Sequence, residues 1–249
     1  MASIFDRDAF TEALFFPRTD ASAPPPGAVD RFAEVDGARI HVRCYAARGA
    51  RCTLLVFHGN GEVVADYDDA ADRFAAIGAA LAVAEFRGYG RSTGAPSLRA
   101  VIDDARAIAE AVPADRLIVM GRSLGGAAAH ELFARPIERM AGAILESAFC
   151  DLGRLIQRRG LAPPAAFTAD EQATFEPARK LAHGRLPLLV LHGAIDTLVR
   201  PDEAHAAYAA ATSAAERRLV LVPGRGHNDL SGGDEYWAAL RAFVDHIAA

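Results

Sequence analysis

Residues 117 to 133 constrain this chain more than any other stretch. Leu117 to Met120 is a short apolar run, Leu124 to Phe133 is rich in Ala and Leu, and between them stands Gly121-Arg122-Ser123-Leu124-Gly125. A buried strand that runs straight into a helix leaves Ser123 at the corner of a very tight turn. Glycine at 121 and 125 removes the Cβ atoms that would otherwise collide across it. With 21 Gly among 249 residues, roughly 0.06 chance matches to G-x-S-x-G are expected. The flanking strand and helix therefore give the motif more weight than its five letters do.

The rest of the chain supplies a setting for that turn. Apolar strand candidates recur at Thr53 to Phe57, Ala80 to Phe86, Leu117 to Met120, Ala143 to Leu145, Leu188 to Leu191 and Leu219 to Val222. Helical spacing fills Asp66 to Ile77, Leu98 to Val112, Leu124 to Phe133 and Asp202 to Ala211. Such alternation predicts an α/β fold, a mostly parallel sheet with helices on both faces, whose ligands gather at the carboxyl ends of the strands. Upstream, Arg31 to Val35 and Arg39 to Tyr45 flank Asp36-Gly37 and read as a hairpin on the antiparallel edge of that sheet. Residues 1–28, with a short helix over Asp8 to Phe16 and then Pro17 and Pro24-Pro25-Pro26-Gly27, read as an N-terminal arm. Residues 29–249 form a single domain, for which 51% hydrophobic content is ample.

Composition excludes several partners. Net charge is −5, and Lys180 is the one lysine among 27 basic residues, so no nucleic-acid footprint is present. Cys44, Cys52 and Cys150 are odd in number and lack metal-ligand spacing. They predict reduced thiols and a cytoplasmic protein. Asp6, Arg7, Asp8 and Glu12 interrupt the first residues, no 18-residue apolar run follows, and stable membrane anchoring is not expected. No motif speaks to oligomeric state.

A serine hydroxyl is a poor nucleophile until a base takes its proton and a third group orients that base. His227 lies in Pro223-Gly224-Arg225-Gly226-His227-Asn228-Asp229, a glycine-rich loop after the last strand, and is the candidate base. Asp196, a short turn after Leu188 to Leu191, is the candidate acid, with Glu146 at the end of Ala143 to Leu145 as the alternative. The order Ser, Asp, His is the one used on sheets of this kind. The oxyanion formed by attack needs two fixed N–H donors. Leu124 N–H at the helix start is one, and Asn60 N–H in His58-Gly59-Asn60-Gly61-Glu62 is the other, with Gly61 next. His58 and His192, each ahead of a glycine at a strand end, read as loop-bracing residues.

Taken together, His58-Gly59-Asn60-Gly61, Phe86-Arg87-Gly88-Tyr89-Gly90-Arg91-Ser92, the Ser123 turn, Leu191-His192-Gly193 with Asp196, and Gly226-His227-Asn228-Asp229 resemble the α/β-hydrolase superfamily. The likeness spans residues 31 to 247, and within the superfamily the chain is most similar to small serine hydrolases that include acyl-protein thioesterases and bacterial esterases. It implies the α/β-hydrolase fold, with about eight strands of which the second is antiparallel. It further implies a serine hydrolase that cleaves a carboxylic ester or thioester of a small-molecule acyl substrate through an acyl-enzyme, with Ser123, Asp196 and His227 as the triad and no metal or organic cofactor. Amidase, aminopeptidase-like and acyltransferase activities share this machinery, and a non-catalytic ligand-binding protein on the same fold is the alternative of another class. Membrane-bound depalmitoylating relatives carry an N-terminal cysteine cluster, which residues 1 to 30 lack. A lid insertion at about 147–186 is short, with Asp151 to Arg159 and Glu171 to Leu181 reading as helices, and Phe149, Leu155, Ile156, Leu161 and Phe167 are the candidate walls of an acyl pocket.

Overall fold

The computed structural model describes residues 3–248. Its centre is an eight-stranded sheet: β1 (Ala28–Val35), β2 (Ala38–Tyr45), β3 (Cys52–Phe57), β4 (Ala79–Ala84), β5 (Leu117–Arg122), β6 (Met140–Glu146), β7 (Leu188–Gly193) and β8 (Arg217–Val222). The spatial order is β1-β2-β4-β3-β5-β6-β7-β8. β2 is antiparallel to both neighbours, and every pairing from β4 to β8 is parallel. The hairpin turns at Asp36-Gly37, where Val35 pairs with Ala38 and Gly37 adopts φ +70°.

Period-two alternation divides the apolar side chains between two cores. Leu55 and Phe57 of β3 and Leu117 and Val119 of β5 face the helices Gly126–Ala134, Leu98–Asp103 and Ala105–Ala111. Leu54, Val56, Ile118 and Met120 face the opposite side, where Ala71–Ala76 and the C-terminal helix Asp234–Ala248 pack. That last helix was not anticipated, although Tyr236, Ala239, Leu240, Phe243 and Val244 recur at helical spacing and are all buried.

The expected helices form with local adjustments. Leu98–Asp103 and Ala105–Ala111 join at Asp104, whose backbone stays helical and whose carboxylate accepts two hydrogen bonds at 2.7 Å from Arg87. Asp66 to Ile77 begins as 3-10 turns over Val64–Ala70 before the α-helix Ala71–Ala76. In the insertion, Pro177 lacks the N–H needed to continue a helix, so Ala169–Phe175 and Pro177–His183 are separate. The remaining insertion helix, Leu152–Arg158, starts on an Asp151 cap.

The N-terminal residues rest on that insertion. Phe5 packs against Phe175 and Phe167 with ring centroids 4.4 and 5.8 Å away, and Ser3 Oγ donates to Glu171 at 2.7 Å. The helix Asp8–Leu14 then leads the chain across the carboxyl end of the sheet. Among the described residues, no helix is long and apolar enough to cross a membrane.

Leu55 is fully buried at the middle of the sheet. Leu55→Ala is expected to lower the unfolding free energy by about 2–5 kcal/mol, the cost of lost burial plus a cavity. Urea denaturation measures it, and a loss below about 1 kcal/mol would contradict this packing.

Candidate active site

Where β5 meets the following helix, Ser123 is held at φ +50°. A non-glycine residue adopts this left-handed conformation only when its surroundings impose it. Here the imposition is steric. A Cβ on Gly121 would stand 2.5 Å from the Gly125 carbonyl oxygen and 2.6 Å from Ala129 Cβ, and one on Gly125 would collide with the Phe57 carbonyl. Close approach of the helix to the end of β3 therefore requires both glycines, and it brings residues 58–61 up to the same corner.

Ser123, His227 and Asp196 form one hydrogen-bonded chain. His227 Nε2 lies 3.0 Å from Ser123 Oγ, and His227 Nδ1 lies 2.7 Å from Asp196 Oδ2. Asp196 is itself fixed, because Oδ1 accepts the Leu198 and Val199 N–H groups at 2.8 and 2.9 Å. Burial alone would raise its pKa. Hydrogen bonds from His192, His227 and the Val199 N–H outweigh that effect and hold the carboxyl well below the usual range. The Asp196 and His227 loops are joined by backbone bonds, Ala194 N–H to Val222 and Ile195 N–H to Arg225, both 3.0 Å.

Glu146 faces elsewhere. It accepts Arg122 Nη1 at 2.8 Å and the Tyr236 hydroxyl at 2.7 Å. Arg122 also donates through Nε to Glu62 at 2.6 Å, through Nη1 to the His227 carbonyl at 3.1 Å, and through Nη2 to Asn228 Oδ1 at 3.0 Å. Glu62 in turn accepts the Gly59 N–H at 2.8 Å and the Tyr67 hydroxyl at 2.8 Å. One largely buried guanidinium thus ties the β3 loop, the Ser123 turn and the His227 loop together. The sequence reading missed this role, since Glu62, Arg122 and Glu146 lie far apart in the chain and no spacing marks their pairing.

His58 braces the β3 loop from beneath. Both its ring nitrogens meet acceptors, Gly59 O at 2.7 Å and Glu85 at 2.8 Å, which requires the doubly protonated ring. Burial opposes that charge, but the Glu85 carboxylate prevails and raises the His58 pKa. The Asn60 side chain accepts the Phe16 N–H at 3.0 Å and the Tyr89 hydroxyl at 2.7 Å and donates to the Leu14 carbonyl. It therefore ties the loop to the N-terminal segment. The Leu124 and Asn60 N–H groups take no acceptor among the described residues.

The cavity at Ser123 has a volume of about 40 Å³, with Leu14, Leu124, Phe149 and Leu155 among its walls and Arg158 and Arg159 beside them. Of the expected wall residues, Phe149 and Leu155 are present, whereas Ile156 is core and Phe167 packs on Phe5. Leu14, Leu198 and Val199 were not foreseen, because they come from segments remote from the insertion. A cleft of about 610 Å³ opens on the other side of Arg122, lined by Tyr67, Phe74 and Trp237 but not by Ser123.

Residues 48–182, more than half of the chain, match the family model described as serine aminopeptidase, S33. The chain belongs to this family, within the α/β-hydrolase superfamily. It is 28% identical over 205 residues to protein bem46 of Schizosaccharomyces pombe, covering 78% of this chain and 68% of that protein. It is 29% identical over 171 residues to the alpha/beta hydrolase domain-containing protein aho-3 of Caenorhabditis elegans, covering 66% of this chain and 48%, about half, of the relative. In fold it is similar to the Pyrococcus furiosus esterase Pf2001, with a TM-score of 0.74 at 16% identity over 95% of this chain and 100% of that one.

Two variants separate the acids. Asp196→Asn should lower kcat by up to about 10⁴ by leaving the His227 ring in the wrong tautomer. Glu146→Gln should lower kcat far less, and its main cost, about 3 kcal/mol, should appear in denaturation because it breaks a buried ion pair. A carboxyl whose pKa is depressed on folding stabilises above the unfolded value and loses that contribution as pH falls through the folded one. The stability advantage of wild type over Asp196→Asn should accordingly shrink below about pH 4. The strain at Ser123 has its own test in a pair of variants, for Ser123→Gly should be about 1 kcal/mol more stable than Ser123→Ala. Equal melting of the two would show an unstrained backbone.

Proposed function

We propose that this chain is a serine hydrolase of short-chain carboxylic esters or thioesters, working through an acyl-enzyme. The observation that carries the reading is the chain of hydrogen bonds from Ser123 through His227 to Asp196. In the first step His227 Nε2 takes the Ser123 proton as Oγ attacks the carbonyl, and Asp196 stabilises the imidazolium. The N–H groups of Leu124 and Asn60 receive the oxyanion, each contributing about 10²–10³ in rate. His227 then protonates the leaving alcohol or thiol and activates the water that releases the acid. No step requires a metal or an organic cofactor.

Two features favour an ester or thioester over an aminopeptidase substrate. A peptide amino terminus is a cation and calls for a carboxylate near the nucleophile, yet no carboxylate lines the Ser123 cavity among the described residues, and Arg158 and Arg159 do. The cavity is also small. At about 40 Å³ it suits a short acyl group. A non-catalytic binding role would not account for a nucleophile, base and acid in mutual hydrogen-bond reach. Three free thiols fit a reducing compartment, and we assign the enzyme to the cytoplasm.

A fluorophosphonate probe should label the wild type and fail on Ser123→Ala, whose kcat should drop by several orders of magnitude. Across p-nitrophenyl acyl esters, kcat/KM should be highest at about C2 to C8 and fall at C12 and beyond, since each further CH₂ adds about 0.8 kcal/mol only while apolar wall remains. A higher kcat/KM for a monomeric C16 ester than for C4 would overturn the short-chain reading.

A further inference from the structure

The two arginines beside Ser123 differ in their partners. Arg158 Nη2 donates to Glu203, a fully buried carboxylate that also accepts the Cys150 and Asp151 N–H groups at 2.7 and 2.9 Å. That pair is neutral as a unit. Arg159 has no carboxylate partner among the described residues, and its one aromatic contact is with Phe16, 5.9 Å from the ring centroid. Arg159 Nε and Arg158 Nη1 are both buried without an acceptor. Burial and the adjacent Arg158 push the Arg159 guanidinium below its ordinary value, with the Tyr89 hydroxyl opposing them, and an arginine remains charged at neutral pH all the same. The cavity at the nucleophile therefore carries one uncompensated positive charge and two donors aimed at nothing in the protein.

Native structures rarely leave buried donors idle, and those at a reaction centre are completed by what binds there. We propose that Arg159, aided by the free Nη1 of Arg158, binds a carboxylate at the far end of the acyl group, so that the substrates are half-esters of short dicarboxylic acids. This rests on the ester-hydrolase reading of Ser123. A carboxylate fits better than a phosphate dianion because one net charge is on offer and the space is about 40 Å³, a bridge of few carbons. Chemically, the acyl carbonyl bonds to Ser123 Oγ as the alcohol leaves with the proton held by His227. Water then displaces the acyl group, releasing the dicarboxylic acid and restoring the serine.

Monoethyl glutarate and ethyl valerate are similar in length and differ in the terminal carboxylate. Their hydrolysis by the intact chain can be followed by pH-stat at fixed ionic strength. The wild type should favour monoethyl glutarate in kcat/KM. Arg159→Met should lower the ratio of the two kcat/KM values by about 10- to 100-fold, as expected for loss of a hydrogen bond to a charged group, and Arg159→Lys should lie between. A wild-type preference for ethyl valerate, or a ratio unmoved in Arg159→Met while ethyl valerate is still turned over, would overturn the proposal and leave the hydrolase reading standing. No turnover of either ester, with Ser123 unlabelled by fluorophosphonate, would overturn both.

Discussion

Arg122 is a cation kept inside the protein by two carboxylates, and the arrangement of the site depends on it. Taking three charges out of water is costly, and a buried ion pair often stabilises no better than packed hydrocarbon would. What the network supplies is position. Glu62 and Glu146 fix the guanidinium, and the guanidinium fixes the His227 carbonyl and the Asn228 side chain. A loop after the last strand would otherwise move with its own backbone, since glycines 224 and 226 offer it many conformations. Burial opposes the charge on Arg122, but the two carboxylates prevail and push its pKa up, so the anchor does not titrate over any ordinary pH range.

A second constraint acts through the backbone. Ser123 occupies a conformation that costs of order 1–3 kcal/mol in a residue of its type. The helix following it, pressed on β3 through Gly125, supplies the packing that maintains the strain. Rigidity of this sort is what the proposed reaction needs. A base 3.0 Å from a hydroxyl is useful only if neither group wanders, and here the serine is held by sterics while the histidine is held by hydrogen bonds.

How much of this was legible in the sequence depends on the range of the interaction involved. Strand cores were readable because alternation and apolar runs are local, so that Leu188 to Leu191 and Leu117 to Met120 fall inside the strands that form. Ser123, Asp196 and His227 were readable because each sits in a turn immediately after a strand. Pro177 shows where such reading falters, because it divides the expected helix Glu171 to Leu181 into Ala169–Phe175 and Pro177–His183. The Glu62–Arg122–Glu146 network and the Leu14 wall were not readable. Both join residues dozens of positions apart, and nothing in the local pattern distinguishes a glutamate destined for an arginine in another loop from one destined for water.

The N-terminal segment has a consequence for how such a protein can diversify. Its Leu14 side chain closes one side of the cavity at Ser123, while Leu198 and Val199 close another, and all three fall outside residues 48–182 that match the family model. Ser123 and the two candidate oxyanion donors lie inside that stretch, whereas Asp196 and His227 lie outside it. The walls of that cavity are thus drawn from several parts of the chain, and the N-terminal segment is tied to the β3 loop by the Asn60 side chain. Substitutions in a peripheral segment can resize the chamber without disturbing the strained turn or the charged anchor beneath it.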